Sequence, residues 1–153
     1  MVTVVTGCAG FIGSALVQRL VAEGRQVVGV DCLTSYYERS QKEAALARIR
    51  VLNEVEVIEQ DLLSMDLEAL LRRADVVYHL AGEPGVRGSW GSRFGVYLDR
   101  NVLLTQRMLE ASLRSGVRRL VYASSSSVYG NAARYPSLET DVPQPHSPYG
   151  VTK

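Results

Sequence analysis

The sequence predicts an α/β domain built as a doubly wound parallel sheet. Three observations carry that prediction. Short β-branched runs alternate with helical patterns along the whole chain. The first run, Val2–Val5, passes through Gly7, Gly10 and Gly13 straight into an apolar helical pattern. A later run, Asp75-Val-Val-Tyr-His-Leu-Ala81, is almost continuously apolar, as a strand covered on both faces should be.

Val2–Val5 is long enough for a buried strand and too short for a helix. Gly7 permits a tight turn, Gly10 lets phosphates approach the backbone, and Gly13 lets the new helix sit close to the strand. That helix would offer free N–H groups and a positive dipole end to an anion. The spacing is G-x-x-G-x-x-G, not the generic G-x-G-x-x-G, and glycines alone also serve plain turns. Asp31 strengthens the case: it lies eighteen residues beyond Gly13, at the end of a second apolar strand, Gln26–Asp31. A carboxylate there can accept both hydroxyls of an adenosine ribose and would repel a 2′-phosphate. Together these features favour dinucleotide binding over a purely structural turn.

Ile12, Ala15, Leu16 and Leu20 recur at helical spacing, and Glu23-Gly24 supplies a left-handed stop. A helix over about 40–51 follows, then an alternating strand, Glu54–Glu59, that ends in Gln60-Asp61-Leu62. Asp61 and Leu62 could flank an adenine ring, although an exposed loop aspartate is the commoner finding. A short helix over 63–72 turns Leu67, Leu70 and Leu71 inward. The fourth strand, 75–81, opens into a loop over 82–95 with five glycines and one proline. Open α/β sheets bind ligands at this, the carboxyl end of a strand. A helix over 97–115 carries Leu104, Met108, Leu109 and Ser112 at helical spacing and stops at Gly116. The fifth strand is 118–123, and the expected order is 3-2-1-4-5. With no repeat or interdomain linker, residues 1–153 read as one domain.

Composition excludes several classes. Hydrophobic content of 46%, charged content of 22% and a net charge of +1 are ordinary for a globular chain. They give no reason to expect nucleic acid or an anionic membrane as partner. No apolar run reaches membrane-spanning length, and Met1 leads directly into the first strand, so no signal peptide is visible. Cys8 and Cys32 are too few for a disulfide framework and too isolated for a metal site. A cytoplasmic protein with reduced thiols is expected.

The fifth strand opens into Ser124-Ser-Ser-Ser-Val-Tyr-Gly130, four hydroxyls at a strand tip that are well placed to bond a reacting oxygen. Serine runs taken alone are usually loop or cap residues. A polar loop containing Pro136, Pro143 and Pro145 leads to Ser147-Pro-Tyr-Gly-Val-Thr-Lys153. Ser147 suits an N-cap and Pro148 a first helical position, so a helix should begin here. On it Tyr149 and Lys153 lie four apart and share one face. The ammonium would favour the phenolate, the form that can take a proton.

With these motifs in place the chain resembles the extended short-chain dehydrogenase/reductase family of nucleotide-sugar epimerases and dehydratases. The matching features are G-x-x-G-x-x-G at 7–13, Asp31, Asp61-Leu62, His-Leu-Ala at 79–81, Asn101, Ser-Ser-Val-Tyr-Gly at 126–130 and Tyr-x-x-x-Lys at 149–153. The resemblance implies a Rossmann-like domain with NAD as cofactor. Its implied NAD contacts are Gly7, Gly10, Phe11, Ile12 and Gly13, then Asp31, Asp61 and Leu62, then Leu80, Ala81 and Asn101, with Tyr149 and Lys153. It makes Tyr149 the acid/base, Lys153 its partner and holder of the nicotinamide ribose, and Ser125 the hydroxyl that bonds the reacting sugar oxygen. Ser125 is chosen because it lies three residues before the valine of Val-Tyr-Gly. Ser126 and Ser127 stand where dehydratases carry acids, which favours epimerisation.

The implied reaction is transient oxidation at the sugar C4, with hydride returned to the other face. Asp31-x-x-x-x-Tyr36-Tyr37, Lys42-x-x-x-Leu46 and Pro84-Gly-Val-Arg-x-Ser89 look more like UDP-glucuronate 4-epimerases than UDP-glucose 4-epimerases. The substrate, a UDP-hexose or UDP-hexuronate, would meet Arg87, Ser89, Ser125 and Ser126. Arg87 could pair with a hexuronate carboxylate or a diphosphate, although loop arginines are more often solvated. His79 reads as structural, Trp90 as packing or a sugar platform, and Gly82 departs from the alanine more usual after His-Leu-Ala. Relatives run about as long again beyond the position of Lys153 and add a substrate-binding domain. The 153-residue chain is therefore expected to bind NAD weakly and turn over little or nothing. The full-length form should be a homodimer, leaving an apolar face on 97–115 exposed here. Two rivals are an NAD-binding module without catalysis and a dehydratase or reductase.

Overall fold

A computed structural model describes residues 1–36, 38–132 and 134–153; Tyr37, part of the tyrosine pair read above, lies outside the described residues. Two compact units emerge, Met1–Ala81 with Leu104–Ala123, and Gly82–Leu103 with Ser124–Lys153. In the first, five strands form one parallel sheet: β1 Val2–Thr6, β2 Gln26–Asp31, β3 Val55–Glu59, β4 Val76–His79 and β5 Arg119–Tyr122. The order is β3-β2-β1-β4-β5, as expected. Val4 pairs with Val28 on one side and Val77 on the other.

Successive strand side chains point to opposite faces, so Val4 and Val5 of β1 feed different cores. Val4 joins Val28, Val30 and Val77 of the sheet, Leu67, Leu70 and Leu71 of α3 (Leu67–Leu71), and Leu104, Met108 and Ala111 of the helix Leu104–Arg114. Val5 joins Val27 of β2, Val17 and Leu20 of α1 (Phe11–Ala22), and Leu46 and Ile49 of α2 (Arg39–Arg50). Each fully buried aliphatic side chain contributes about 1.5–3 kcal/mol. Two cores on one sheet are what double winding means physically.

Three sequence expectations shift. On α1 the inward face is Gly13, Ser14, Val17 and Leu20; Ala15 is exposed and Ile12 is 66% exposed. Gly13 packs against the preceding turn, and that contact fixes the helix's rotation. The helix expected over 63–72 starts at Leu67, because the Asp66 carboxylate caps it by accepting the Ala69 N–H. The helix expected over 97–115 begins at Phe94, as α4 (Phe94–Tyr97), passes through a π-helical stretch at Leu98–Leu103, and continues as α5 (Leu104–Arg114). On α5 Ala111 faces the core, whereas Leu109 and Leu113 are exposed. Gly24, at φ 75°, closes α1 with Gly24 N–H bonded to the Val21 carbonyl and Arg25 N–H to the Leu20 carbonyl.

The second unit is mostly loop. Single 3₁₀ turns occupy Arg87–Ser89, Gly91–Arg93 and Ser126–Tyr129, and α6 is Pro148–Val151. Fully buried Tyr97 ties the glycine-rich loop by donating its hydroxyl hydrogen toward the Pro84 and Gly85 carbonyls, at 2.9 and 3.0 Å. Among the described residues no helix is long and apolar enough to cross a membrane, and no group of three or more His, Cys, Asp or Glu could hold a metal ion.

Candidate active site

The glycine turn leaves no room for side chains. Gly7 has φ 72°, and a Cβ there would lie 3.0 Å from the Ala81 nitrogen. A Cβ on Gly13 would lie 2.0 Å from the Gly7 carbonyl oxygen, and one on Gly10 3.1 Å from the same oxygen. α1 therefore starts directly on the turn. Its N-cap, Gly10, offers no side-chain acceptor, and no acid stands in its first turn. The N–H groups of Phe11, Ile12 and Gly13 are among those a helix leaves without an internal acceptor. A diphosphate would satisfy them and the positive helix end. Phe11 is 90% exposed and Ile12 follows it outward, so neither side chain belongs to the core.

Asp31, the last residue of β2, is buried; its Oδ2 accepts the Ala9 N–H at 3.0 Å and its Oδ1 the Leu33 N–H at 2.8 Å. Lys42 of α2, also buried, places its ammonium 3.6 Å from Oδ1 and donates to Thr34 Oγ1 at 3.2 Å. A carboxylate has about four lone-pair positions, so capacity remains for ribose hydroxyls. Desolvation first, and then the Asp31 charge, push the buried Cys8 thiol up to about 12. Asp61, past the end of β3, accepts the Leu63 N–H at 3.0 Å, and Leu62 is buried in the core. Leu62 thus has its backbone, not its side chain, to offer an adenine. Leu80 and Ala81 both direct their N–H to Thr6 Oγ1 at 3.1 Å. That hydroxyl also bonds His79 Nδ1 at 2.8 Å, and His79 is fully buried and stacked on Tyr122, a structural role.

The second unit carries Ser125, Tyr149 and Lys153. Ser125 Oγ accepts the Ser127 N–H at 3.1 Å, which fixes the oxygen and leaves its hydrogen to donate. As expected, Ser147 caps α6, accepting the Gly150 N–H at 3.0 Å, and Pro148 opens the helix. Gly150 sits on the serine turn; a Cβ there would be 2.6 Å from the Ser127 carbonyl oxygen. The Tyr149 ring meets Tyr97 edge-on at 6.3 Å. Lys153 lies just beyond α6 and not on it, with its N–H on the Gly150 carbonyl at 3.4 Å. Burial lowers its ammonium's pKa below the usual lysine range.

Two residues that the resemblance gives to ligands also make hydrogen bonds within the protein. Asn101, in the π stretch, is 2% exposed: its Oδ1 accepts the Glu83 N–H at 2.7 Å, and its Nδ2 donates to the Glu83 carbonyl at 3.0 Å and to Thr152 Oγ1 at 3.1 Å. Thr152 in turn donates to the Tyr149 carbonyl at 2.9 Å. The Asn101 amide thus links Glu83 to the segment that carries Tyr149. Ser89 is fully buried, accepting the Tyr149 N–H and donating to the Val86 carbonyl. Arg87 and Ser126 are exposed, as is Trp90 at 59%, which excludes core packing for that indole. Gly82 also finds its reason here, since a Cβ would be 2.9 Å from Asn101 Oδ1. Pairwise links such as Ser89–Tyr149 or Lys42–Asp31 leave no periodic signal in sequence.

A glycine turn opening a helix and a buried carboxylate at the end of the next strand, in a chain that also carries a serine–tyrosine–lysine group, suit a dinucleotide-dependent enzyme. Residues 3–153 match the NAD dependent epimerase/dehydratase family, and the chain belongs to it. It is 41% identical to the Bacillus subtilis protein named uncharacterized UDP-glucose epimerase YtcB, over 100% of this chain and 48% of that one. It is 39% identical to the UDP-glucose 4-epimerase of Mycolicibacterium smegmatis, over 100% of this chain and 48% of that one. Among solved structures, UDP-glucuronic acid 4-epimerase from Bacillus cereus, in complex with UDP-glucuronic acid and NAD, superposes with a TM-score of 0.93 at 41% identity, covering 100% of this chain and 49% of that one. The chain spans about half the length of the curated relatives it matches.

Proposed function

We propose that this chain is the NAD-binding part of a nucleotide-sugar 4-epimerase acting on a UDP-hexuronate, UDP-glucuronate being the first candidate. The observation that carries the reading is one compact unit holding Ser125, with a hydroxyl hydrogen left to donate, together with Tyr149 and Lys153. Bound NAD would supply a hydride acceptor at C4 of the sugar and return the hydride later. The chain's own residues handle the proton. Tyr149, as phenolate, takes the proton of the C4 hydroxyl and later gives it back. Lys153, poorly solvated, sets a strong positive field beside that oxygen. Ser125 donates to the C4 oxygen.

Gly7, Gly10 and the first turn of α1 hold the diphosphate in this reading, and Asp31 holds the adenosine ribose, with Asp61 and the Leu62 backbone at the adenine. Ser126 and Ser127 offer no acid for water elimination, which favours epimerisation over dehydration. Arg87, exposed on its loop, is available to a hexuronate carboxylate or a diphosphate. The reading includes a homodimer, supported by the exposed Leu109 and Leu113 of α5, and a cytoplasmic location.

Calorimetry with NAD on this chain, beside Asp31→Ala, tests the cofactor half; binding that the substitution weakens by roughly 10–100-fold is the expected result. Conversion of UDP-glucuronate to its C4 epimer without net NADH tests the reaction. NADH accumulating with sugar nucleotide would instead indicate a reductase-type oxidoreductase.

A further inference from the structure

The first turn of α6 raises a simple accounting question. A helix start leaves backbone N–H groups without internal acceptors, and buried ones need partners. Pro148 has no N–H, and Gly150 N–H is taken by Ser147 Oγ. The remaining donor is Tyr149 N–H. It is satisfied from sixty residues away in sequence by Ser89 Oγ, at 3.0 Å. Ser89 is fully buried, and its own hydrogen goes to the Val86 carbonyl at 2.7 Å. Its hydroxyl is thus used in both directions inside the protein. With its hydrogen committed to the Val86 carbonyl, this hydroxyl has no hydrogen left to donate to a sugar.

We propose that Ser89 is a positioning residue for Tyr149, holding the backbone of the acid/base from the glycine-rich loop. This rests on the assignment of Tyr149 as the acid/base. Ser89 is well anchored for the task. The 3₁₀ turn Arg87–Ser89 fixes its backbone, and Tyr97 ties Pro84 and Gly85 just upstream. Gly88 lets the Tyr97 hydroxyl come close, since a Cβ there would be 2.9 Å from it. Tyr97 also meets the Tyr149 ring edge-on, so one tyrosine braces both the loop and the phenol that the loop positions. At the far end of α6, Asn101 acts through Thr152 on the Tyr149 carbonyl. The Tyr149 N–H is therefore held directly by Ser89, and its carbonyl by Thr152, which Asn101 holds in turn, so the loop bears on the phenol's aim from both sides.

The test has two arms. In the first, amide hydrogen exchange is followed by NMR on the 153-residue chain, with Ser89→Ala and Ser89→Thr. Ser89→Ala should speed exchange at Tyr149 by at least tenfold while Gly150, capped by Ser147, changes little; Ser89→Thr should restore protection. Equal acceleration at both amides, or none at Tyr149, overturns the proposal. In the second, epimerase kinetics are measured on the active enzyme. Ser89→Ala should lower kcat about tenfold with KM for UDP-glucuronate nearly unchanged, and Ser89→Thr should recover most of it. A raised KM at unchanged kcat would make Ser89 a substrate ligand and defeat the proposal. If wild type shows no epimerisation, the functional reading fails, while the exchange arm still decides the hydrogen bond.

Discussion

The glycine turn at 7–13 and the segment around Tyr149 are built on opposite principles. The turn is made of absences: three missing side chains let backbone meet backbone, and a Cβ at Gly13 would fall 2.0 Å from a carbonyl oxygen. The Tyr149 segment is made of additions: Ser147, Ser89 and Thr152 each supply a hydrogen bond to a four-residue helix too short to stand alone, and Asn101 holds Thr152. A site made by steric exclusion depends on residue identity at fixed spacing. One made by cross-loop hydrogen bonds depends on which loops meet. Damage should therefore be abrupt in the first region and graded in the second, apart from the reacting phenol itself.

The largest effect is expected from that exception. Tyr149→Phe should lower turnover by about 10²–10⁴-fold, the range for a lost general acid–base, while NAD affinity by calorimetry stays within a few-fold. Next, Asp31→Ala should weaken NAD binding by roughly 10–100-fold, as expected for hydrogen bonds to a charged group. A change under threefold would remove Asp31 from the ribose site. Gly13→Ala should cost about 1–3 kcal/mol in denaturant unfolding through overpacking and weaken NAD as well. Gly95→Ala, where a Cβ meets nothing within 4 Å, should be neutral or slightly stabilising. Equal losses at Gly13 and Gly95 would erase the contrast between the regions.

The smallest effect concerns Cys8, whose thiol is pushed up to about 12 by burial and Asp31. The folded protein keeps that proton longer than the unfolded chain. The associated stability is whole below the ordinary thiol range and is lost as pH rises toward about 12. A thiol reagent at pH 8 should modify half-buried Cys32 first and reach Cys8 only on unfolding. Rapid reaction of both thiols under native conditions would show that the core beneath the glycine turn opens.

Much of the sheet and its first turn was legible because the signals are local. Alternation along 2–6 and 26–31, glycines at 7, 10 and 13, and Asp31 at a strand's end each act within a few residues, and the strand order follows from right-handed crossovers. The helix rotations were less legible. Apolar spacing alone selected Ile12 and Leu109 for the core, but Gly13 must face the turn and Ala111 fits the packed face instead. Periodicity counts apolar residues and is blind to the contact that sets a helix's phase.

Sequence by itself determined the class of fold, the glycine turn, the carboxylate at the end of the second strand and the order of serine, tyrosine and lysine. Those features depend on residue type, short spacing and backbone sterics. Tertiary structure decided what Ser89 and Asn101 do. Folding brings Ser89 to Tyr149 N–H and Asn101 to Thr152, over separations of 60 and 51 residues, contacts that no short spacing announces. A buried hydroxyl or amide takes whichever partner packing delivers, because leaving it unpaired away from water costs about 1–3 kcal/mol.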